Sequence, residues 1–432
     1  MRGLMTKRFL AASAGLVLVL GVAACGDDDD DDGGGGGGEA TLDLTIGDSI
    51  PLTGDLSDFG PPGQKAADMA IVEINKAIDQ AGVDHTVNIV HEDNETNPQA
   101  AVQAARKLVD SDGASCLAGA WASADTIPTA QSVSIPGGVL QITPASTADE
   151  ITDIDDDGLL NRTSPPDRFQ GPTLAQVIGD DLGSAEGKVV NIGARNDPYG
   201  EGLAGTFSDA WEELGGTIGA EVLYEPEQPS YNSEAAEITS GNPDVIVIID
   251  FPETFIKVAP ALERTGNWDP TKAWGTDGLY SGDLAADIGA SGEGFRGTFP
   301  GAPEGVEQAA AFDELWNESE PRDVERLAFD AQQFDAVMLC YLAAVAAGST
   351  DGQEMADAVV DLSAPGGTEY TWEQLPEAID ALQNGDDIDY QGAAGSIDLN
   401  EDGDATGEVY DLYTFKGGSA DVTGEAKVVV PE

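Results

Sequence analysis

Three hydroxyl-bearing residues stand where an α/β protein can hold an anion. Ser123 lies at the predicted N-cap of a helix that begins near Ala124. There its hydroxyl and the first free N–H groups of the helix can bind a carboxylate. Ser146 and Thr147 follow the strand-like run VLQIT, at the carboxyl end where open α/β sheets bind ligands. Each residue serves equally well as an ordinary cap or turn residue, so the pattern alone leaves both alternatives open.

The residue types needed for catalysis are scarce. His85 and His91 are the only histidines, and on one strand they would lie roughly 20 Å apart, too far to share a metal ion. The sequence contains no phosphate loop, zinc spacing or nucleophile elbow, and nothing arranges its serines, histidines and acids as a triad. We therefore expect no enzyme activity and no cofactor.

Two acidic segments resemble the first half of a calcium loop. The run DLNEDGD offers oxygen ligands at alternate positions, from Asp398, Asn400, Asp402 and Asp404. Its twelfth position is Val409 instead of the bidentate glutamate of such loops, and DIDDDG from Asp153 is a second partial match. A solvated turn is the alternative for both segments, so these residues are only candidates and no metal site is predicted.

The elements that must position these residues alternate along the chain. From Leu42, short apolar β-rich runs such as TVNIVHED and DVIVIID are separated by helical patterns such as GQKAADMAIVEINKAI. This alternation predicts parallel sheets covered by helices on both faces. The apolar run from 328 to 348 carries Asp335 and is short of a membrane span, which favours a buried helix.

The amino-terminal 40 residues indicate export. Residues 1–24 have the charged and then apolar layout of a signal peptide. The letters VAAC resemble the lipobox of bacterial lipoproteins, which implies cleavage before Cys25 and its acylation. Residues 25–40, rich in Asp and Gly, are expected to be a disordered tether. Export also permits a disulfide between Cys116 and Cys340, although each can equally be a small buried hydrophobe.

The amino-acid composition limits the classes of partner that the protein can bind. The 432 residues include 19 Lys and Arg against 80 Asp and Glu, for a formal net charge of −61. This charge excludes nucleic acid as a partner and favours solubility in salty surroundings. About 400 residues outside the leader are more than one hydrophobic core normally supports, so two lobes are expected.

The order of several motifs resembles one family. IGDSIPLTGDLSDFGPPGQKAADMAIVEIN, ITPASTADEIT, RTSPPDRFQG, DPYGEG and GNPDVIVIIDFPET are similar to the branched-chain amino-acid class of periplasmic solute-binding proteins. The resemblance implies a type I α/β fold, with two Rossmann-like lobes whose parallel central sheets are joined by three hinge crossings. Lobe 1 would comprise residues 41–163 plus 303–392, and lobe 2 would comprise 164–302 plus 393–432.

The resemblance also implies a site in the cleft between the lobes. With the G-x-x-x-S spacing from Gly119, it favours a carboxylate-binding role for Ser123. Tyr199 matches a tyrosine that closes over the ligand, and Asp277 matches the acid that pairs with an ammonium, where the family often has glutamate. The complete set of expected ligand-binding residues is Ser123, Ser146, Thr147, Tyr199, Asp277 and the aromatic candidates Phe59, Trp121 and Phe251.

Together these features predict a substrate-binding lipoprotein of an ABC importer, held at the outer face of the bacterial cytoplasmic membrane by acylated Cys25. It would act as a monomer that captures an amino acid or amide-like solute and delivers it to the permease subunits. Two alternatives are a ligand-binding sensor subunit of a membrane receptor and a secreted hydrolase. The scarcity of histidine argues against the hydrolase.

Overall fold

A computed structural model describes residues 41–303, 305–407 and 409–429 of the chain. The predictions for the signal peptide, Cys25 and the tether lie outside the described residues. Strands and helices alternate through most of this region, as the hydrophobic pattern predicts. We call the first sheet with its packed helices lobe 1, and the second sheet with its helices lobe 2.

Lobe 1 is built on a five-stranded sheet in which all strands are parallel. Its strand order is β2-β1-β3-β4-β5. All of its strands except β2 are buried at most positions, as expected where helices cover both faces of a parallel sheet. In chain order the elements are β1 Leu42–Ile50, α1 Gly60–Ala81, β2 His85–Asp93, α2 Pro98–Asp110, β3 Cys116–Gly119, α3 Ser123–Thr129, α4 Ile135–Gly137, β4 Leu140–Thr143 and β5 Leu160–Arg162.

Lobe 2 contains a seven-stranded sheet of order β15-β14-β10-β9-β8-β6-β7. The strands β6 to β10 pair in parallel, whereas the two final strands join antiparallel. In chain order the elements are α5 Asp167–Asp181, β6 Val189–Arg195, α6 Pro198–Glu213, β7 Thr217–Tyr224, α7 Asn232–Ile238, β8 Val245–Ile249, α8 Pro252–Arg264, β9 Ala273–Gly275, α9 Gly282–Ile288, β10 Arg296–Gly301, β14 Val409–Lys416 and β15 Ser419–Lys427.

The chain returns to lobe 1 between β10 and β14. This part contains α10 Glu307–Glu318, α11 Asp330–Ala347, α12 Gly352–Val359, β11 Thr368–Thr371, α13 Leu375–Gln383, β12 Ile388–Gly392 and β13 Gly395–Ser396. Helix α11 is buried along almost its whole length, which confirms the buried-helix interpretation. It packs on the first sheet, and a disulfide joins its Cys340 to Cys116 of β3, with the two Cα atoms 5.9 Å apart.

The last strand of the first sheet ends at Arg162 and α5 of lobe 2 begins at Asp167, whereas β10 of lobe 2 ends at Gly301 and α10 begins at Glu307. Ile397, Leu399 and Ala405 still pack in the lobe 1 core. We therefore propose that the third crossing follows Ala405, about a dozen residues beyond the boundary expected from the sequence. No single helix of the described residues has the length and hydropathy of a membrane span, and one bent pair, α11 with α12, meets both criteria only in combination.

Candidate ligand site

A small cavity lies between the two lobes, with about 20 Å³ open to the centre of a water-sized sphere. Six of the eight residues expected at a ligand site line it, namely Phe59, Trp121, Ser123, Tyr199, Phe251 and Asp277. Its other lining residues are Leu56, Ala122, Ala145, Gly278 and Phe329. The site therefore draws on the ends of β3, β4, β6, β8 and β9, where a doubly wound sheet presents its loops.

The lobe 1 wall is formed around the beginning of α3. Ala122 occupies the cap position and Ser123 is the first helical residue, so the expected N-cap role of Ser123 was wrong by one residue. The Ser123 hydroxyl accepts a hydrogen bond from the Ala148 N–H at 3.2 Å, and its proton can be donated to a solute. Beside it, the Trp121 ring lies over Gly63, where a Cβ would approach the ring to 2.3 Å.

Ser146 and Thr147 lie behind this wall instead of lining the cavity. The Ser146 hydroxyl is 2.7 Å from that of Thr126 and donates to the Trp121 carbonyl at 2.9 Å. The Thr147 carbonyl accepts from the Asp167 N–H at 2.8 Å. These contacts hold the first wall against the 145–148 loop, and direct ligand contact stays a prediction for both residues.

The lobe 2 wall carries an acid and a phenol. Asp277 lies two residues after β9, and Tyr199 lies in the first turn of α6. The Tyr199 hydroxyl donates to Asp277 Oδ1 at 2.9 Å and lies 2.7 Å from the Thr276 hydroxyl. Its ring stacks on Phe251, with centroids 5.3 Å apart. The acid is thus oriented by a neighbour that itself lines the cavity.

Burial controls the charge of this acid. Desolvation raises the pKa of Asp277 to about 6, and hydrogen bonds from Tyr199 and Gln170 oppose the rise. The carboxylate is therefore largely charged near neutral pH, without a cationic partner among the contacts that set its pKa. Desolvation and the charge of Asp277 together raise the pKa of Tyr199 well above its usual value, so the phenol keeps its proton and stays a donor.

A second buried acid stands behind Asp277. Asp167 is the first residue of α5 and is inaccessible to solvent. Burial and the charge of Asp277 raise its pKa well above the usual range. The protein therefore keeps Asp167 neutral and leaves the charge on the acid that lines the cavity. Sequence reasoning missed this residue, although it lies in the quoted RTSPPDRFQG segment.

Leu56 and Phe329 are the other large residues that the sequence did not reveal. Leu56 precedes Phe59 by three residues in a turn before α1. Phe329 caps α11 with a φ of 69°, a left-handed conformation that is unusual for an aromatic residue. No short-range pattern marks either position, because the return of the chain from lobe 2 brings Phe329 to the cavity.

Comparisons with known proteins agree with this arrangement. The family model described as "Periplasmic binding protein" matches residues 43–410. The chain belongs to the periplasmic binding protein family. It is 30% identical over 327 residues to the Leu/Ile/Val-binding protein homolog 1 of Brucella melitensis, covering 74% of this chain and 83% of that protein.

Solved structures show the same type I fold. The leucine-binding protein LivK of Thermotoga maritima superposes with a TM-score of 0.72 at 23% identity, over 89% of this chain and 98% of that one. The branched-chain amino-acid binding protein LivJ of Streptococcus pneumoniae, solved with isoleucine, gives 0.71 at 20% identity, over 90% and 99% of the two chains. The expected two-lobed α/β architecture is confirmed.

In this periplasmic binding protein, two of the four candidate calcium ligands, Asp404 and Asn400, bind neighbouring groups. Asp404 accepts from Arg162 Nε at 2.6 Å and from Arg168 at 3.1 Å. Asn400 Oδ1 accepts from the N–H groups of Asp402 and Asp404. No cluster of three or more acids, histidines or cysteines suited to a metal ion occurs in the described part of the chain.

Proposed function

We propose that this periplasmic binding protein is the solute-binding component of an ABC importer and that it captures a free amino acid between its lobes. The observation that carries the proposal is the pairing of opposite walls in one small cavity. Ser123 supplies a hydroxyl on lobe 1, and Asp277 supplies a buried carboxylate on lobe 2. These groups complement the carboxylate and the ammonium of an amino acid.

The rest of the lining favours an apolar or aromatic side chain on the solute. Leu56, Phe59, Trp121, Phe251 and Phe329 surround the polar pair. Only about 20 Å³ of this cavity is open to the centre of a water-sized sphere, so the two walls must separate for an amino acid to enter. The structure of LivJ in complex with isoleucine supports the same class of solute.

Mechanistically, the two lobes would act as a clamp and perform no chemistry. A solute that contacts Ser123 on one lobe and Asp277 on the other stabilises the closed arrangement more than the open one. The permease would recognise the closed form. Acylation of Cys25 would keep the protein at the outer face of the membrane, where its solute must be delivered.

A thermal-shift screen of residues 40–432 tests this proposal. We expect branched-chain or aromatic amino acids to raise the melting temperature, because binding to the native state alone stabilises it. Simple amides, urea and benzoate-like acids form the comparison set. A shift caused only by the anions, with none by amino acids, would contradict the assignment of an ammonium to Asp277.

A further inference from the structure

One short turn contacts both the cavity and the opposite lobe. The turn Asp55–Phe59 precedes α1, and Leu56 and Phe59 from it line the cavity. Beside them, Asp55 and Asp58 contact lobe 2. Asp55 Oδ2 accepts from the Thr254 hydroxyl at 2.9 Å, and Asp58 Oδ2 accepts from the Ser281 hydroxyl at 2.5 Å.

The turn is held firmly by its own lobe. Thr53 donates to Asp93 from both its N–H and its hydroxyl. The Leu56 N–H donates to the Thr96 hydroxyl at 3.0 Å. Gly54 has a φ of 89°, and a Cβ there would meet the Glu95 carbonyl oxygen at 2.0 Å, so only glycine fits. The two acids therefore reach the cleft on a preorganised support.

The groups that receive them on lobe 2 are preorganised as well. Ser281 caps α9 by accepting from the Leu284 N–H at 3.1 Å, which directs its proton toward Asp58. Arg195 lies 3.5 Å from Asp55, and its guanidinium is held by Asp197 at 2.5 Å and stacks 3.6 Å above the Phe251 ring. Thus Phe251, which lines the cavity on lobe 2, also supports Arg195, the partner of Asp55.

We propose that the turn Asp55–Phe59 is a latch that holds the lobes closed over the solute. This inference rests on the proposed function, and it adds the residues that set how long the solute stays. Leu56 and Phe59 cover the solute, while Asp55 and Asp58 bind lobe 2 through Thr254, Arg195 and Ser281. The carboxylate contacts exist only while the lobes are together, so they slow opening and release.

The first test measures release. Trp121 lines the cavity, so tryptophan fluorescence in a stopped-flow instrument can follow dissociation of L-isoleucine from the full mature chain. Asp55→Asn with Asp58→Asn should raise the dissociation rate about tenfold, as expected when about 1.4 kcal/mol of charged hydrogen bonding is lost. Asp79→Asn, an exposed change on α1 with the same loss of charge, is the control and should leave the rate unchanged. An unchanged rate in the double variant would overturn the latch.

The second test needs no solute and separates failure of the latch from failure of the proposed function. Asp58→Asn, Ser281→Ala and the pair form a double-mutant cycle on the melting temperature. The same cycle is made with Asp55→Asn and Thr254→Val. A combined shift smaller than the sum of the single shifts shows that the groups meet across the cleft. Additive shifts in both cycles would refute the latch, even if isoleucine bound tightly. Coupled shifts in a protein that does not bind isoleucine would contradict only the proposed class of solute.

Discussion

Asp277 provides the sharpest test of how the site recognises its solute. The side chain is 2% exposed, receives the Tyr199 hydroxyl at 2.9 Å and lines the cavity opposite Ser123. Asp277→Asn keeps the size of the side chain and an oxygen for Tyr199 but removes the charge. Asp277→Ala removes the acceptor as well.

The magnitudes follow from what each variant leaves unpaired. A hydrogen bond to a charged group contributes about 1–1.5 kcal/mol more than a neutral one, so Asp277→Asn should weaken an amino acid about five- to tenfold. Asp277→Ala leaves the ammonium buried without its partner, which costs at least about 2 kcal/mol, or about 30-fold.

Isothermal titration with the amino acid that gives the largest melting shift measures both variants. The pH dependence supplies an independent check. Because the pKa of Asp277 is about 6, affinity should be constant above about pH 7 and fall as the pH drops below 6, and Asp277→Asn should abolish this decline.

Stability distinguishes loss of binding from loss of folding. Burial disfavours the charged carboxylate, so the solute-free Asp277→Asn protein should melt at the same temperature as wild type or higher at pH 7.5. Unchanged affinity in both variants, with normal melting, would refute the assignment and shift the solute class toward urea-like or anionic compounds.

Three further predictions concern the walls of the site and the stability of the fold. Tyr199→Phe should weaken binding about three- to tenfold in the same titration, since Asp277 loses a hydrogen bond of about 1 kcal/mol; a stronger loss than in Asp277→Ala would contradict this order. Burial raises the pKa of Asp250 and Asp335 to about 7 and of Asp125 to about 8, so the folded state keeps protons that the unfolded chain releases above about pH 4. The free energy of unfolding should therefore fall as the pH rises from 4 to 8, and calorimetry at constant ionic strength should show a higher melting temperature at pH 5 than at pH 8. Residues 40–432, denatured without reductant, should contain no reactive thiol because Cys116 is joined to Cys340, and reduction should lower the free energy of unfolding by about 2–5 kcal/mol.

Most of the fold follows from local patterns in the sequence. Apolar runs such as VIVII of β8 are separated by helices with an apolar face. This pattern predicts parallel sheets, because helices packed on both faces of a sheet bury the apolar residues of strands and helices alike. The third crossing that we propose is harder to predict, since Ile397, Leu399 and Ala405 pack in the lobe 1 core. Such packing depends on distant partners, and no local pattern records it.

Several residues that the family resemblance suggested line the cavity because each lies just past the end of a strand. Trp121, Phe251 and Asp277 lie at such positions, and the geometry of a parallel sheet brings them to one edge. The sequence did not predict Leu56 and Phe329, because a turn brings the first to the cavity and the return of the chain from lobe 2 brings the second. Asp167 escaped prediction for a different reason, since its burial cannot be distinguished from the sequence among 80 acidic residues.

In so acidic a chain the scarce arginines are more informative than the abundant acids. Asp404, one of the candidate calcium ligands, lies within reach of a cationic side chain. Arg162 is fully buried at the first crossing and donates to Asp404, near the third crossing, at 2.6 Å. The same guanidinium donates to the carbonyls of Ser146 and Ala148, and the Ala148 N–H in turn donates to Ser123. One arginine thus pairs with one of the four candidate calcium ligands and connects the segment around Asp404 to the wall of the cavity.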